Sequence, residues 1–230
     1  MSPPETVRVA FLQHSEWDVP GTLGTSAAHL GLEVRAYRAD RGPGALPRVG
    51  TFDALVVLGS VESAADPTVS WIGPERELVA TAVAGRVPVF GVCFGGQLLA
   101  QVLGAEVRRA TAPEIGWPRL TTADSARIPP GPWLAWHEDE FTAPPGAEVL
   151  ARTEISLHAY VFGIHTGVQF HPEVTPEVVE HWIAGARENG TLGDEEIADL
   201  RKGFADRPAG TPDGARVLLE GFLRRAGLST

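Results

Sequence analysis

The stretch Val89 to Ala100, VFGVCFGGQLLA, carries the only cysteine of the 230-residue chain, set among glycines at 91, 95 and 96. An apolar run leads into Cys93, and good helix formers follow once the glycines are past. A nucleophile at such a strand-to-helix turn stands clear of the sheet on a strained backbone, which tolerates only small neighbours two residues to either side. Gly91 and Gly95 occupy those two places. A helix starting here would aim its free N–H groups at the sulfur and favour thiolate over thiol. A buried structural cysteine in a Gly-rich β–α turn fits the same stretch. A phosphate-cradling loop fits worse, because no Lys-Ser or Lys-Thr follows and the glycine spacing differs.

A catalytic thiol needs a base, and the base needs an orienting group. The segment GVQFHPEVTPE offers both in His171 and Glu173. Pro172 keeps His171 extended. In an extended chain, residues two apart project to the same side, so the Glu173 carboxylate can accept from one ring nitrogen while the other faces a thiol. Taken alone, His-Pro-Glu reads equally as a strand-end histidine beside a solvated glutamate. Its chemical meaning comes from pairing with the cysteine turn.

The elements that must bring these residues together alternate in type, as in parallel α/β proteins. Strands are predicted at 7–14, 32–39, 54–59, 87–93 and 165–173. Helices are predicted at 23–30, 74–84, 95–103 and 176–187. Ala54–Leu58 and Val87–Val92 are apolar on both faces, which marks central strands covered by helices on each side. In a parallel sheet the C-terminal strand ends share one edge, so Cys93 and His171 can meet there. Residues 104–163 have short strands, turns at PPGP and APPG, and no long helical pattern, and read as a β-rich elaboration. Two amphipathic stretches close the chain at 194–206 and 214–228, separated by the loop RPAGTPDG.

Composition limits the function classes. A single cysteine permits no internal disulfide, and a 24.5 kDa chain buries a substantial core without one. Nineteen basic against 29 acidic side chains leave a net charge of −10, which argues against a nucleic-acid partner. No run of about 18 apolar residues is present, and the start lacks the basic-then-apolar layout of a signal peptide, so no membrane is expected and a cytoplasmic location is. His14, His29, His158, His165 and His181 show no metal-ligand spacing with the cysteine, so no metal centre is expected. Trp71, Trp117, Trp133 and Trp182 read as core or interface aromatics.

GVCFGGQLLA together with GVQFHPEV resembles the class I glutamine amidotransferase family, and VVLGS, EIGW, WHEDEF and PPGAEVLAR narrow the likeness to its stand-alone, GMP-synthetase-like members. The match runs through roughly residues 7–185. It implies a three-layer, flavodoxin-like α/β fold with a mostly parallel sheet, a β-rich elaboration and C-terminal helices. On this reading residues 1–190 form the amidotransferase domain, and 191–230 a helical extension packed on it. The resemblance further implies a Cys93, His171, Glu173 triad that releases ammonia from L-glutamine through a γ-glutamyl thioester. The oxyanion hole would use backbone N–H groups of Ser60 and Phe94. Gly59, Gln97, His137 and Asp139 would line the substrate pocket, and no cofactor is implied.

Two departures from the family pattern stand out. Relatives usually carry Gly-Gly-Pro in the oxyanion loop, where this chain has Gly59-Ser60-Val61, so the hole is expected to be differently poised or formed only when something binds. Glu138 stands where relatives often have glycine, placing an extra negative charge near the substrate. The stretch beyond residue 190 is too short for a synthetase domain, so ammonia is expected to pass to a separate synthetase chain or into water. A free-standing γ-glutamyl hydrolase or peptidase with the same triad, and a silent regulatory module, are the other readings. Self-association into a homo-oligomer is also left open.

Overall fold

The computed structural model describes residues 6–129, 131–205 and 214–228. Most of the RPAGTPDG loop and one residue of the PPGP turn lie outside them. Among the described residues, ten strands, six α-helices and two short 3-10 turns follow in chain order. The parallel part is built from β1 (Arg8–Gln13), β2 (Glu33–Arg38), β3 (Ala54–Val57) and β4 (Val89–Val92), with α1 (Gly21–His29) crossing from β1 to β2, α2 (Ile72–Ala84) from β3 to β4, and α3 (Phe94–Val102) leaving β4. Then come β5 (Val107–Gly116), β6 (Thr121–Thr122), β7 (Ala135–Phe141), β8 (Glu148–Arg152), β9 (Leu157–Phe162) and β10 (His165–Val168). The chain closes with α4 (Pro176–Glu188), α5 (Asp194–Ala205) and α6 (Gly214–Arg225).

The main sheet has eight strands in the order β2-β1-β3-β4-β10-β9-β8-β6. The pairs from β2 to β10 are parallel, and those from β10 to β6 antiparallel. Residues 104–163, read from sequence as one β-rich elaboration, therefore divide in two. β6, β8 and β9 extend the main sheet, while β5 and β7 form a separate two-stranded sheet.

Alternation along the buried strands sends side chains to two cores, one on each face. Phe11, Val56 and Phe90 point to one side with Leu23 of α1 and Leu219 and Phe222 of α6. Leu12, Leu55, Val57 and Val89 point to the other with Ile72 and Val79 of α2 and Leu98 of α3. Phe222 packs edge-on to Phe90 at 5.5 Å and is fully buried, which stabilises the fold by about 2–3 kcal/mol. The last helix thus covers a face of the central sheet. A third cluster joins α4 and α5 to Leu134 and the rings of Trp117, Trp136 and Trp182.

The strand expected over 165–173 leaves the ladder at Val168. Its neighbour β4 ends in the turn at Cys93, whose N–H donates to Val168 O at 2.8 Å, so no parallel partner continues beyond. The chain stays held by antiparallel contacts instead: Gln169 N to His158 O at 2.9 Å and His171 N to Leu134 O at 2.8 Å. His171 is positioned by the β7 side of the molecule as well as by β10.

Candidate active site

Cys93 sits between β4 and α3 with φ 50° and ψ −110°, one of two described non-glycine residues at positive φ. The surrounding glycines explain how the chain tolerates this. A Cβ at Gly91 would lie 2.3 Å from Gly95 O, one at Gly95 2.1 Å from Val57 O, and one at Gly96 2.6 Å from Val168 O. Each contact is with backbone, which cannot yield as a side chain can. The turn is therefore wedged between β3 and β10. Phe94 is the first residue of α3, where amide N–H groups have no intrahelical acceptor. The thiol of Cys93, largely buried, lies 3.5 Å from Gln169 Nε2 and 3.9 Å from Trp136 O.

His171 Nδ1 is 2.7 Å from Glu173 Oε1, the contact that the extended His-Pro-Glu segment predicts. Both residues are buried, and His171 Nε2 makes no hydrogen bond within protein. Burial alone would lower the imidazole pKa, but the facing Glu173 carboxylate and the neighbouring Cys93 outweigh it and hold the pKa well above the ordinary value. The Trp182 ring meets His171 edge-on at 5.0 Å. The start of α1 pins the segment from below: Thr22 N donates to Glu173 O at 2.8 Å and Thr22 Oγ1 to Pro172 O at 2.5 Å. A Cβ at Gly21 would meet Glu173 O at 2.0 Å, so this approach requires glycine.

Gly59 brings the β3 loop against both groups. A Cβ there would stand 3.0 Å from His171 Cε1 and 3.7 Å from Cys93 Cβ. Its carbonyl is 2.6 Å from His14 Nδ1, and His14 Nε2 is 3.0 and 3.1 Å from the two oxygens of Glu75. A carbonyl can only accept, so Nδ1 carries a proton, and Nε2 directed at the Glu75 carboxylate suits a doubly protonated, cationic ring. Burial opposes that charge, yet the facing Glu75 raises the His14 pKa above its usual value. The ring is stacked on Trp71 and edge-on to Phe94, each at 4.9 Å. His14 and Glu75 were not among the site residues read from sequence. They stand on β1's end and α2, and only the fold brings them under the loop.

A cleft of about 460 Å³ opens over the cysteine, lined by Gly59, Ser60, Gln97, His137, Asp139, His171 and Glu173 among others. Gln97 Nε2 donates to Asp139 O at 3.2 Å and lies 3.3 Å from Gln169 Oε1. Asp139 Oδ2 accepts from Ser63 Oγ at 2.5 Å, which ties the oxyanion-loop side of the cleft to the opposite wall. His137 is buried in that wall with both nitrogens directed at protein: Nδ1 is 3.0 Å from Asp139 O, and Nε2 faces Glu114. Its imidazole therefore supports the wall instead of offering a polar group to the cleft. The extra negative charge expected from Glu138 is neutralised by an ion pair with Arg109, which also approaches Asp139 at 3.7 Å. Val61 is almost fully exposed at the rim. Among the described residues no helix is long and apolar enough to cross a membrane.

Known proteins resemble this chain in sequence and fold. The chain is 34% identical over 172 residues to the glutamine-hydrolysing GMP synthase of Aeropyrum pernix, covering 67% of this chain and 34% of that one. It thus spans about a third of that relative's length. Against a subunit of the glutamine-hydrolysing GMP synthase of Sulfolobus acidocaldarius the identity is 36% over 155 residues, covering 64% of this chain and 79% of that one. A glutamine amidotransferase from Methylobacillus flagellatus superposes with a TM-score of 0.78 at 27% identity, covering 96% of each chain. A second, from Thermotoga maritima, gives 0.80 at 23% identity over 96% of this chain and 98% of that one, a likeness of fold alone. The family model for class I glutamine amidotransferases matches residues 22–184, and with the Cys-turn and the mostly parallel sheet in place, the chain belongs to the class I glutamine amidotransferase family.

Proposed function

We propose that the chain hydrolyses the side-chain amide of L-glutamine with a Cys93-His171-Glu173 triad and delivers the ammonia to a separate synthetase chain. The observation that carries this is a cysteine held at positive φ at the head of α3, under a cleft it shares with the His171–Glu173 pair. Cys93 Sγ attacks the amide carbon and its proton passes to His171. The tetrahedral oxyanion collapses, ammonia leaves with that proton, and a γ-glutamyl thioester remains. His171 then takes a proton from water as its oxygen attacks the thioester carbon, and returns that proton to the departing sulfur, giving glutamate and the free thiol. Glu173 holds the imidazole in the tautomer that keeps Nε2 free for these transfers. The likeness to a relative named as one subunit of a GMP synthase supports a two-chain arrangement for the acceptor.

The oxyanion would be met by the N–H groups of Phe94 and Ser60. In a trans peptide the C=O and N–H point in opposite directions. A Gly59 O held by His14 favours a Ser60 N–H turned the other way, toward the cleft that Ser60 lines. His14 and Glu75 thus act as positioning residues for the loop, in place of the proline this chain lacks. That tie lies within the chain itself, which supports a loop oriented without a partner.

Glutamate and ammonia release should be measured for purified protein with L-glutamine, L-asparagine and a set of γ-glutamyl peptides. Turnover of glutamine with asparagine ignored is the expected result. Cleavage of γ-glutamyl peptides with glutamine left intact would move the assignment to a γ-glutamyl hydrolase.

Glu75→Gln should lower kcat by about 100-fold with little change in KM, the signature of a lost oxyanion donor. It should also cost about 3 kcal/mol of stability, because one partner of a buried ion pair is left behind. The pH dependence has a definite sign. With its folded pKa raised, His14 contributes stability that is complete below about pH 6.5 and lost as pH rises through the folded value. Urea titrations from pH 6 to 9 should show wild type losing this advantage over Glu75→Gln toward the alkaline end.

A further inference from the structure

Behind the pocket wall, Glu114 of β5, His137 of β7 and His158 of β9 bring a carboxylate oxygen and two ring nitrogens to within 4.8 Å of one another. Glu114 Oε2 lies 3.0 Å from His158 Nε2 and 3.4 Å from His137 Nε2, and all three residues are buried. The His137 contact with Asp139 O requires a proton on Nδ1, which leaves Nε2 as the ring atom directed at Glu114. That nitrogen makes no hydrogen bond. A cation held between that nitrogen and the carboxylate, either a proton or a metal ion, would complete the contact. A ring held by a carbonyl on its far nitrogen is also how metal-binding histidines are commonly oriented.

Two of the three separations, 3.0 and 3.4 Å, are close to those around such a cation. Around a tetrahedral ion with bonds of about 2.0–2.1 Å, ligand atoms stand roughly 3.3–3.4 Å apart. Ser156 Oγ, 2.5 Å from Glu114 Oε2, steadies the carboxylate. We propose that Glu114, His137 and His158 bind a divalent transition-metal ion, with two nitrogens and one carboxylate suited to Zn²⁺ and a fourth position left for water. All-oxygen cations such as Ca²⁺ and Mg²⁺ do not match this donor set. The ion would fasten the small β5–β7 sheet, which carries the cleft wall, to β9 of the main sheet. Linear spacing does not reveal the cluster, because its members come from three separate strands.

The test uses the full chain carrying Cys93→Ser, freed of any histidine tag and of metal, so that the cysteine cannot bind the probe. Titration with Co²⁺ should develop visible absorption of tetrahedral strength, saturating at one equivalent and displaced by Zn²⁺. Glu114→Gln and His158→Gln, checked for folding by circular dichroism, should each weaken binding at least about 10-fold. Zinc X-ray absorption on the unsubstituted chain supplies a measurement free of those variants: nitrogen and oxygen scatterers at about 2.0–2.1 Å, with no sulfur near 2.3 Å, are expected. No cobalt absorption, wild-type affinity in both variants, or a zinc–sulfur shell would each overturn the proposal. The first result would leave a protonated His137 as the cation in the cluster.

Discussion

Cys93→Ala should abolish glutamine turnover, with a loss in kcat on the order of 10⁶-fold, while leaving a folded protein. Alanine removes the one thiol and keeps a Cβ, so the packing around the turn is nearly unchanged. It also retains the φ of 50° that any L-residue there must bear, so stability should not rise or fall by more than about 1 kcal/mol. The oxyanion donors and the cleft survive in this variant, and glutamine should still bind. Isothermal titration with glutamine, set beside the activity assay, separates lost chemistry from lost binding. In the wild type, rapid quench with radiolabelled glutamine should trap one γ-glutamyl adduct per chain, absent from Cys93→Ala. Persistent turnover in Cys93→Ala would remove the cysteine from the mechanism.

His171→Ala should be nearly as damaging, since no other described group stands ready to take the thiol proton. Glu173→Gln should be milder, with a loss of roughly 10⁴-fold in kcat. The reason lies in the 2.7 Å contact to Nδ1. A carboxylate accepts from Nδ1–H and keeps Nε2 unprotonated, whereas an amide can present its own N–H to Nδ1 and stabilise the opposite tautomer. Loss of the Glu173 charge also removes the leading force that raises the His171 pKa. Imidazolium must survive to protonate departing ammonia, so the alkaline limb of kcat/KM should move to lower pH in Glu173→Gln. The pH profile distinguishes this role from a purely structural one, which would lower activity evenly across the range. Equal losses in the two variants, with an unmoved profile, would remove Glu173 from the triad.

Local sterics made part of this protein legible from its sequence. Gly91 and Gly95 around Cys93 announce a turn that admits no side chains, and the structure fills both spaces with backbone of the same turn and of β3. His171 and Glu173 are two apart in an extended segment, so their meeting needs no knowledge of the rest of the chain. The doubly apolar runs at β3 and β4 likewise mark the sheet's centre, because only helices on both faces make such strands favourable.

Other features depend on which distant elements share a layer. The three strands β6, β8 and β9 could not be assigned to the main sheet from their short apolar runs, since pairing depends on register with β10. His14 reads in sequence as a histidine at a strand end; the fold brings Glu75 of α2 to one of its nitrogens and Gly59 O of the β3 loop to the other. Glu138 reads as an unbalanced charge until β5 lays Arg109 beside it. Thr22 and Gly21 reveal nothing about the triad until α1 docks beneath Glu173. Sequence spacing carries the contacts made within a few residues, where backbone geometry decides the partner. Buried polar groups far apart in the chain find their partners only through the order of the strands and the packing of helices on them, and this the tertiary structure alone decided.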